Sequence, residues 1–205
     1  MKDIDEHRRT FSKEEINQLP LRRYPGPVFL ADSDELLDQA LAGLANEDVL
    51  GFDTETKPCF RRGQSHPPAL LQLAARDRVF IFRLAGLSAP ARLAPILSDP
   101  GTVKYGVAVS DDIKELNQLF DFDPAGFLDL GETAKSLGIP TLGLRNMAAN
   151  LLGVRISKSA QCSDWGRKEL TQRQISYAAT DAWISRELGL RLELLKNGRK
   201  KQPRT

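Results

Sequence analysis

The chain has 205 residues, of which 41% are hydrophobic and 27% charged, with a formal net charge of +2 at pH 7. This composition is ordinary for a soluble globular protein and supplies enough apolar side chains for one buried core. No apolar run is long enough for a membrane span, two cysteines do not make a disulfide framework, and the N-terminus is too polar for a secretory signal. We therefore expect a cytoplasmic protein without a membrane segment.

Basic residues cluster near both ends of the chain and after the first acidic motif. They are Arg8, Arg9, Arg22, Arg23, Arg61, Arg62, Arg199, Lys200, Lys201 and Arg204. Such clusters can contact phosphates, but solvated termini are the simpler interpretation for the two tails. We divide the chain into a polar N-terminal extension (1–27), one domain (28–196) and a basic C-terminal tail (197–205).

The first elements lead up to a strand that carries two acids. SKEEINQLP predicts a short helix that stops before Pro20, and PVFLA (27–31) predicts a strand. Asp32 and Glu35 can form a capping box for the next helix. That helix has apolar residues at helical spacing, namely Leu36, Leu37, Ala40, Leu41 and Leu44.

The segment VLGFDTET then predicts a strand on which Asp53 and Glu55 project from the same face, because alternate residues of a strand share a face. Thr54 points to the other face and is expected to pack there. A half-buried strand has no structural need for acids in this alternation, so the Asp-x-Glu pair is the first functional motif.

The middle of the chain predicts more strands and a second acidic motif. KPCFRRGQSHPP is a loop, and ALLQLAA and RVFIFRL form a meander. ARLAPILSD is a helix, or two short turns around Pro95, and TVKYGVAV is a buried strand. SDDIKELNQLF is a helix with Ser110 or Asp111 near its cap. Its first turn carries Asp112, with Asp111 as the competing acid.

The last part of the chain is helical. GFLDLGETAKSLG predicts a short apolar stretch and a helix that ends at Gly138, and TLGLRNMAANLLG predicts a helix closed by Gly153. Thr171 and Gln174 predict a capping box for a final helix that runs to about Leu195. The elements together predict an α/β fold with a mixed central sheet flanked by helices.

Tyr177 and Asp181 are four residues apart on the final helix and therefore share a face. With Asp53, Glu55 and Asp112 they make four acids and one tyrosine in three segments. Four acids at one point repel each other unless divalent cations lie between them. Two such ions can stabilise both the attacking and the leaving oxygen at phosphorus. The pattern thus predicts a metal-assisted site for phosphoryl transfer.

The three motifs, in this order, resemble those of the DEDD exonuclease superfamily, in the subclass with tyrosine in the third motif. The resemblance runs from about Val49 to Leu188 and is closest in QCSDWGRKELTQRQISYAATDAW. This stretch is similar to the exonuclease domains of the Werner type and, more loosely, to RNase D. The resemblance implies a ribonuclease-H-like fold and a metal-dependent 3′-5′ exonuclease that releases nucleoside 5′-monophosphates.

The resemblance also assigns a role to each motif residue. Asp53 would bridge two Mg²⁺ ions, for which Mn²⁺ can substitute, while Glu55 and Asp181 bind the first ion and Asp112 completes the set. Tyr177 would orient the attacking water, because a tyrosine with a pKa near ~10 is a poor base at neutral pH. His7, His66 and the two cysteines match no metal motif.

Five further residues are expected near the substrate. They are Gln72, Leu73, Lys158, Trp165 and Arg167. Lys158 and Arg167 are either phosphate contacts or plain surface charges, and Trp165 either stacks on a base or, as we favour, packs under its loop. The expected partner is the 3′ end of DNA, with RNA 3′ processing as the alternative. A non-catalytic nucleic-acid-binding module would predict a replaced acid, and all five motif residues are present.

Overall fold

The computed structural model describes residues 4–59, 65–140 and 143–200. The expectations for Arg61 and Arg62, for Leu142 in the predicted helix, and for Lys201 and Arg204 in the tail lie outside the described residues.

A mixed sheet of six strands forms the centre of the described fold. The strands are β1 (Val28–Ala31), β2 (Val49–Thr56), β3 (Pro68–Ala74), β4 (Val79–Arg83), β5 (Val103–Gly106) and β6 (Phe127–Asp129). Their order across the sheet is β1-β4-β3-β2-β5-β6. β3 is antiparallel to β2 and β4, and the other neighbouring strands are parallel. The predicted meander is therefore the pair β3–β4, beside the strand that carries the first two acids.

Seven α-helices accompany the sheet in the described residues. They are α1 (Lys13–Gln18), α2 (Asp34–Leu44), α3 (Ala94–Leu97), α4 (Val109–Asn117), α5 (Leu130–Ser136), α6 (Leu144–Met147) and α7 (Gln172–Lys200). A π-helical turn, Ala148–Leu152, continues α6, and 3₁₀ turns cover Ile4–His7, Leu84–Gly86 and Pro90–Leu93. The predicted α/β class, a mixed sheet flanked by helices, is confirmed. No described helix combines the length and the apolar character needed to cross a membrane.

Helices cover the two faces of the sheet with different core clusters. On one face, Leu37 of α2 and Leu116 of α4 are buried in one cluster with Phe52 of β2. On the other face, the small residues Ala178 and Ala182 of α7 are buried against Leu70 of β3. Small side chains let the backbone of α7 lie close to the strands, so this helix can bring its polar residues down to the sheet.

Several local predictions are corrected by the structure. The N-cap of α2 is Ser33, whose hydroxyl accepts a hydrogen bond from the Leu36 amide, and not Asp32. Helix α4 begins at Val109, before the predicted caps Ser110 and Asp111. The segment around Pro95 forms two short turns, as in the second alternative. Helix α7 continues to Lys200, so the predicted tail begins inside a helix.

The N-terminal extension packs against the domain instead of remaining solvated. His7 is buried, and its Nδ1 lies 2.9 Å from the carbonyl oxygen of Asn150. The amide of Tyr24 donates to the hydroxyl of Thr180 on α7 at 3.0 Å. Interactions at both ends of the segment thus hold it on the fold, and this places its arginines near α7.

Gly51 on β2 is where α7 crosses the strand most closely. A Cβ added at Gly51 would overlap the carbonyl oxygen of Ala182 and lie 2.8 Å from the amide nitrogen of Arg186. Both are backbone atoms of a long helix, which cannot move without displacing the rest of α7. Gly51 therefore fixes the distance between β2 and α7, and with it the distance between the acids that the two elements carry.

We predict that Gly51→Ala lowers the free energy of unfolding by about 1–3 kcal/mol, since the added methyl group pushes α7 away from β2. Urea unfolding followed by circular dichroism measures the change. The matched control is Gly166→Ala, because a Cβ there would meet only side-chain atoms, of which the nearest belongs to Lys57 at 3.4 Å. We expect less than about 1 kcal/mol for the control. Equal losses in the two variants would contradict this role of Gly51.

Candidate active site

Three carboxylates from two elements meet at one end of the sheet. Asp53 and Glu55 project from β2 towards α7, and Asp181 projects from α7 towards β2. One oxygen from each of the three carboxylates lies within 4.8 Å of the other two. Asp53 and Glu55 share a face of β2 because alternate residues of a strand do so, and Asp181 reaches them from α7. The cluster that the sequence predicts is formed in this way.

Asp112 joins the cluster from α4. Its Oδ1 accepts a hydrogen bond of 2.5 Å from the hydroxyl of Thr54, the residue between the two acids of β2. Asp112 is close enough to Asp53 to raise the pKa of that carboxyl. The competitor Asp111 is exposed and pairs with Lys114 at 3.1 Å. The structure thus places Asp112, and not Asp111, beside the other acids.

Thr54 makes a functional contact that the sequence did not predict. We expected it to pack on the face opposite the acids, but its hydroxyl binds Asp112 because the first turn of α4 lies over that end of β2. Strand alternation alone could not show which element covers the opposite face. The only signal in the sequence was a hydroxyl residue between two acids.

A tight turn between β5 and α4 brings Asp112 to its position. A Cβ at Gly106 would lie 2.5 Å from the side chain of Val109 and 3.0 Å from the carbonyl oxygen of Phe52. Ala108 adopts the left-handed conformation, with φ of 56°, which is costly for a residue with a side chain. Because the backbone turns sharply at Ala108, α4 starts directly beside β2.

The acids are buried close together, which favours their protonated forms. Burial, with added repulsion from Asp181 and Asp112, raises the pKa of Asp53 well above its usual value. Burial and the charge of Asp53 raise the pKa of Glu55 to about 10. Burial also raises the pKa of Asp181 to about 7 and that of Asp112 to about 6. At neutral pH the cluster therefore needs either protons or cations to offset its charge.

Tyr177 lies one turn before Asp181 on the same face of α7. Burial, followed by the charges of Asp181 and Glu55, raises the pKa of its hydroxyl above the usual value. The hydroxyl is therefore a neutral hydrogen-bond donor throughout the physiological pH range. This property fits the orienting role predicted for Tyr177 and does not fit a role as a base.

The donor set fits divalent cations that prefer oxygen ligands. Oδ1 of Asp181 is buried and has no hydrogen-bond partner among the described residues. Carboxylate oxygens are the ligands that Mg²⁺ and Mn²⁺ prefer, and a cation would stabilise the ionised carboxylates against the burial and repulsion that raise their pKa values. Asp53, Glu55 and Asp181 are thus placed to bind a divalent metal ion, with Asp112 beside them.

Two of the five residues expected near the substrate are placed where they cannot contact it. Leu73 is fully buried and lies on the sheet face opposite α7, in the cluster of Phe52, so the prediction for Leu73 is wrong. Trp165 is 1% exposed and its ring centroid lies 5.9 Å from that of Tyr177. Base stacking by Trp165 is therefore excluded, and it packs beneath the site, as we favoured.

The other three expected residues lie around the cluster. Gln72 is paired with Asp53 across the β2–β3 ladder and is fully buried, and neither polar atom of its side chain has a partner among the described residues. Lys158 is exposed and lines a cavity with Tyr177 and Asp181. Arg167 is exposed, and its carbonyl oxygen accepts a hydrogen bond from Arg83. Contacts of these three residues with a substrate stay predictions.

Two cavities open beside the acids. One has a volume of about 250 Å³, and its lining residues include Leu144, Asn146, Ile156, Lys158, Tyr177 and Asp181. The other has a volume of about 400 Å³, and its lining residues include Arg22, Arg23, Ser159, Arg173, Tyr177 and Asp181. Tyr177 and Asp181 thus form the boundary between a mixed apolar and polar cavity and a strongly basic one.

The chain is similar to known exonucleases and ribonucleases. A family model described as 3′-5′ exonuclease matches residues 28–196. The bifunctional 3′-5′ exonuclease/ATP-dependent helicase WRN of Mus musculus is 29% identical over 177 residues, which are 82% of this chain and 13% of that protein. Ribonuclease D of Gluconacetobacter diazotrophicus is 33% identical over 162 residues, which are 77% of this chain and 40% of that protein. The chain thus spans less than half the length of either relative.

Solved structures show the same fold. The EXO domain of Aedes aegypti Nibbler superimposes with a TM-score of 0.79 at 23% identity, over 89% of this chain and 95% of that one. RNase D of Escherichia coli superimposes with a TM-score of 0.76 at 25% identity, over 85% of this chain and 46% of that one.

We predict that the metal-free protein loses stability as the pH rises from about 4 to 7. The pKa of Asp181 is about 7 in the folded protein, and that of an aspartate in an unfolded chain is about 4. The folded state therefore binds more protons than the unfolded state in this window, so raising the pH favours unfolding. Thermal unfolding in EDTA across this pH range measures the effect.

The Asp53→Asn variant is the matched comparison for this prediction, because it removes the Asp53 carboxyl, whose own pKa is raised, and the charge that raises the pKa of Glu55. We expect a flatter dependence of its Tm on pH, and a rise in Tm on addition of Mg²⁺ or Mn²⁺ in the wild type that is much smaller in the variant. Asp111→Asn, which changes an exposed acid, should behave like the wild type. Parallel curves for the wild type and Asp53→Asn would contradict the electrostatic explanation.

Proposed function

The chain belongs to the 3′-5′ exonuclease family, and we propose that it removes nucleotides from the 3′ end of a nucleic acid by metal-dependent hydrolysis. The observation that carries the proposal is the cluster of Asp53, Glu55 and Asp181, with carboxylate oxygens within 4.8 Å of each other. Asp112, held by Thr54, supplies a fourth acid beside them. A structural role does not explain why these acids lie so close together, because Asp112 and Asp181 add to the repulsion on Asp53 and Glu55.

The proposed cofactor is a pair of Mg²⁺ ions, for which Mn²⁺ can substitute. Four ionised carboxylates carry four negative charges, which two divalent cations would balance. When bound, such ions make a coordinated water more acidic and offset the negative charge that develops on the phosphoryl group. Asp53, Glu55, Asp112 and Asp181 would hold them.

The residues of the chain itself contribute positioning and exclusion of water. The buried floor of the site, with Trp165 beneath Tyr177, keeps bulk solvent away from one side of the acids. The neutral hydroxyl of Tyr177 can donate a hydrogen bond to the attacking water or to a phosphate oxygen, and so fix its orientation. Attack in line with the 3′-oxygen of the preceding nucleotide would release a nucleoside 5′-monophosphate.

We propose DNA as the substrate, with RNA as the second candidate. The similarity to WRN, a 3′-5′ exonuclease and helicase, supports DNA, and the similarity to Ribonuclease D supports RNA. RNA recognition requires a contact to the 2′-hydroxyl.

We also propose a cytoplasmic location, which the two free, exposed cysteines support because they suit a reducing compartment.

The proposal predicts that the purified protein shortens 5′-labelled strands one nucleotide at a time in Mg²⁺ or Mn²⁺, and not in EDTA. Asp53→Asn and Asp181→Asn should each reduce the rate at least about 1000-fold, since each removes a predicted metal ligand. Asp111→Asn is the control and should keep the wild-type rate, because this acid is exposed. Matched DNA and RNA strands show the preferred sugar.

A protein that binds either strand without shortening it would contradict the proposal and would support a binding module. A rate that survives EDTA would contradict the metal-dependent reaction.

We predict a separate positioning role for Thr54. Thr54→Val should lower the rate of shortening about 10- to 100-fold, because Asp112 then has no hydroxyl from which to accept its hydrogen bond. Thr54→Ser keeps that hydroxyl and should restore most of the rate. Single-turnover kinetics at saturating metal measure the effect, and circular dichroism checks the fold. Equal rates in Thr54→Val and the wild type would show that the hydrogen bond does not matter.

A further inference from the structure

The proposed reaction does not use the cavity of about 400 Å³ beside Tyr177 and Asp181. Its lining includes Arg22, Arg23 and Arg173. Three arginines around one cavity make a positively charged pocket directly next to the acidic cluster. Arginine forms paired hydrogen bonds with phosphate oxygens, so the chemistry of the pocket suits a phosphate group.

Arg22 and Arg23 are held at the cavity by backbone contacts. The amide of Arg22 donates to the carbonyl oxygen of Arg155 at 2.9 Å, and the amide of Arg155 donates to that of Pro20 at 3.0 Å. The ring of Tyr24 packs against Trp183 of α7, with centroids 5.7 Å apart. The segment is therefore fixed on both sides of the two arginines, although their side chains are exposed.

Arg173 faces the same cavity from α7, where its position is linked to the site. Arg173, Tyr177 and Asp181 follow each other at four-residue intervals, so they share a helix face and are about 6 Å apart along the axis. The Arg173 guanidinium donates to the hydroxyl of Ser159 at 3.0 Å and to its carbonyl oxygen at 2.7 Å. These contacts orient Arg173 but do not neutralise its charge.

The lining of the pocket holds three arginines and one acid, Asp181, so its charge is positive overall. Within the described residues, neither Arg22 nor Arg23 makes an ion pair or a side-chain hydrogen bond, and the hydroxyls of Ser157, Ser159 and Ser176 add polar groups to the lining. Because the backbone of Arg22 and Arg23 is already fixed, anion binding has to order only their exposed side chains and not the segment that carries them.

We propose that this pocket binds the phosphate next to the scissile phosphate, the one that links the second and third nucleotides from the 3′ end. The inference rests on the proposed function. If the last phosphodiester lies at the acids, all further phosphates lie on its 5′ side, and the basic pocket adjoins the acids through Tyr177 and Asp181. Arg22 and Arg23 precede the residues 28–196 that the family model matches, so this contact comes from the N-terminal extension.

The test combines a protein variant with a chemically altered strand. The variant is Arg22→Ala/Arg23→Ala, and the strand carries one uncharged methylphosphonate at the second linkage from the 3′ end. For the wild type we expect this linkage to lower kcat/KM for removal of the last nucleotide about tenfold, with kcat little changed. The variant should show a similar decrease on an ordinary strand and a much smaller further decrease on the altered strand, because both changes act on the same interaction and only Arg173 remains.

Two controls accompany the test. A methylphosphonate at the eighth linkage should leave the wild type unaffected. Lys135→Ala/Lys196→Ala removes two exposed lysines that do not line the cavity and should behave like the wild type on every strand. The salt dependence of binding gives a second readout, since the slope of log K against log[salt] should fall by about 0.7 for each single-strand phosphate that the variant no longer neutralises.

If the altered strand lowers kcat/KM of the variant by the same factor as it lowers that of the wild type, the proposal is overturned. That result would show that the arginines and this phosphate act independently. A wild type that shortens both strands equally well would also overturn it.

The failure of the proposed function itself looks different. In that case the wild type shortens no strand, and the pocket is tested by fluorescence anisotropy with the same labelled strands. About tenfold weaker binding by Arg22→Ala/Arg23→Ala, again with much less further weakening at the altered linkage than in the wild type, would support the pocket. Equal affinities of the wild type and the variant would overturn it.

Discussion

The close approach of α7 to β2 at Gly51 is the constraint on which the site depends. Because no side chain separates strand and helix there, Asp181 of α7 reaches the carboxylates of Asp53 and Glu55. The small residues Ala178 and Ala182 on the buried face of α7 serve the same approach. The distribution of small and large side chains thus decides where the acids meet.

The resulting cluster is unfavourable when it stands alone. Burial, and for Glu55 also the charge of Asp53, raises the pKa of the carboxyls, so Glu55 and Asp181 hold their protons well above the pH at which exposed acids lose them. Such a group of carboxylates does not stabilise the fold, so we infer that it serves to bind a ligand. Divalent cations that prefer oxygen ligands would offset the negative charge of these carboxylates. Without bound cations, the same negative charge would repel the phosphates of a nucleic-acid strand. Arginines at the adjacent cavity offset part of that repulsion, which gives the two charged regions a common purpose in the proposed reaction.

Much of this site could be predicted from local periodicity. Two-residue spacing on β2 and four-residue spacing on α7 each determine a face without knowledge of the fold, and the capping box of Thr171 and Gln174 fixes the start of α7. Contacts between distant elements could not be predicted in this way. The hydrogen bond of Thr54 depends on where α4 begins, and the position of Arg22 depends on how the N-terminal extension packs. The error at Leu73 was avoidable, because strand alternation already places it opposite Gln72.

The proposed reaction requires that Asp53, Glu55, Asp112 and Asp181 form one cation site. Electron paramagnetic resonance titration with Mn²⁺ counts bound ions directly and requires no substrate. We predict two bound ions in the wild type. The Asp53→Asn variant, when it is folded like the wild type, should bind fewer ions and bind them more weakly. Binding that is absent in the folded wild type, or equal in the wild type and Asp53→Asn, would contradict the existence of this site.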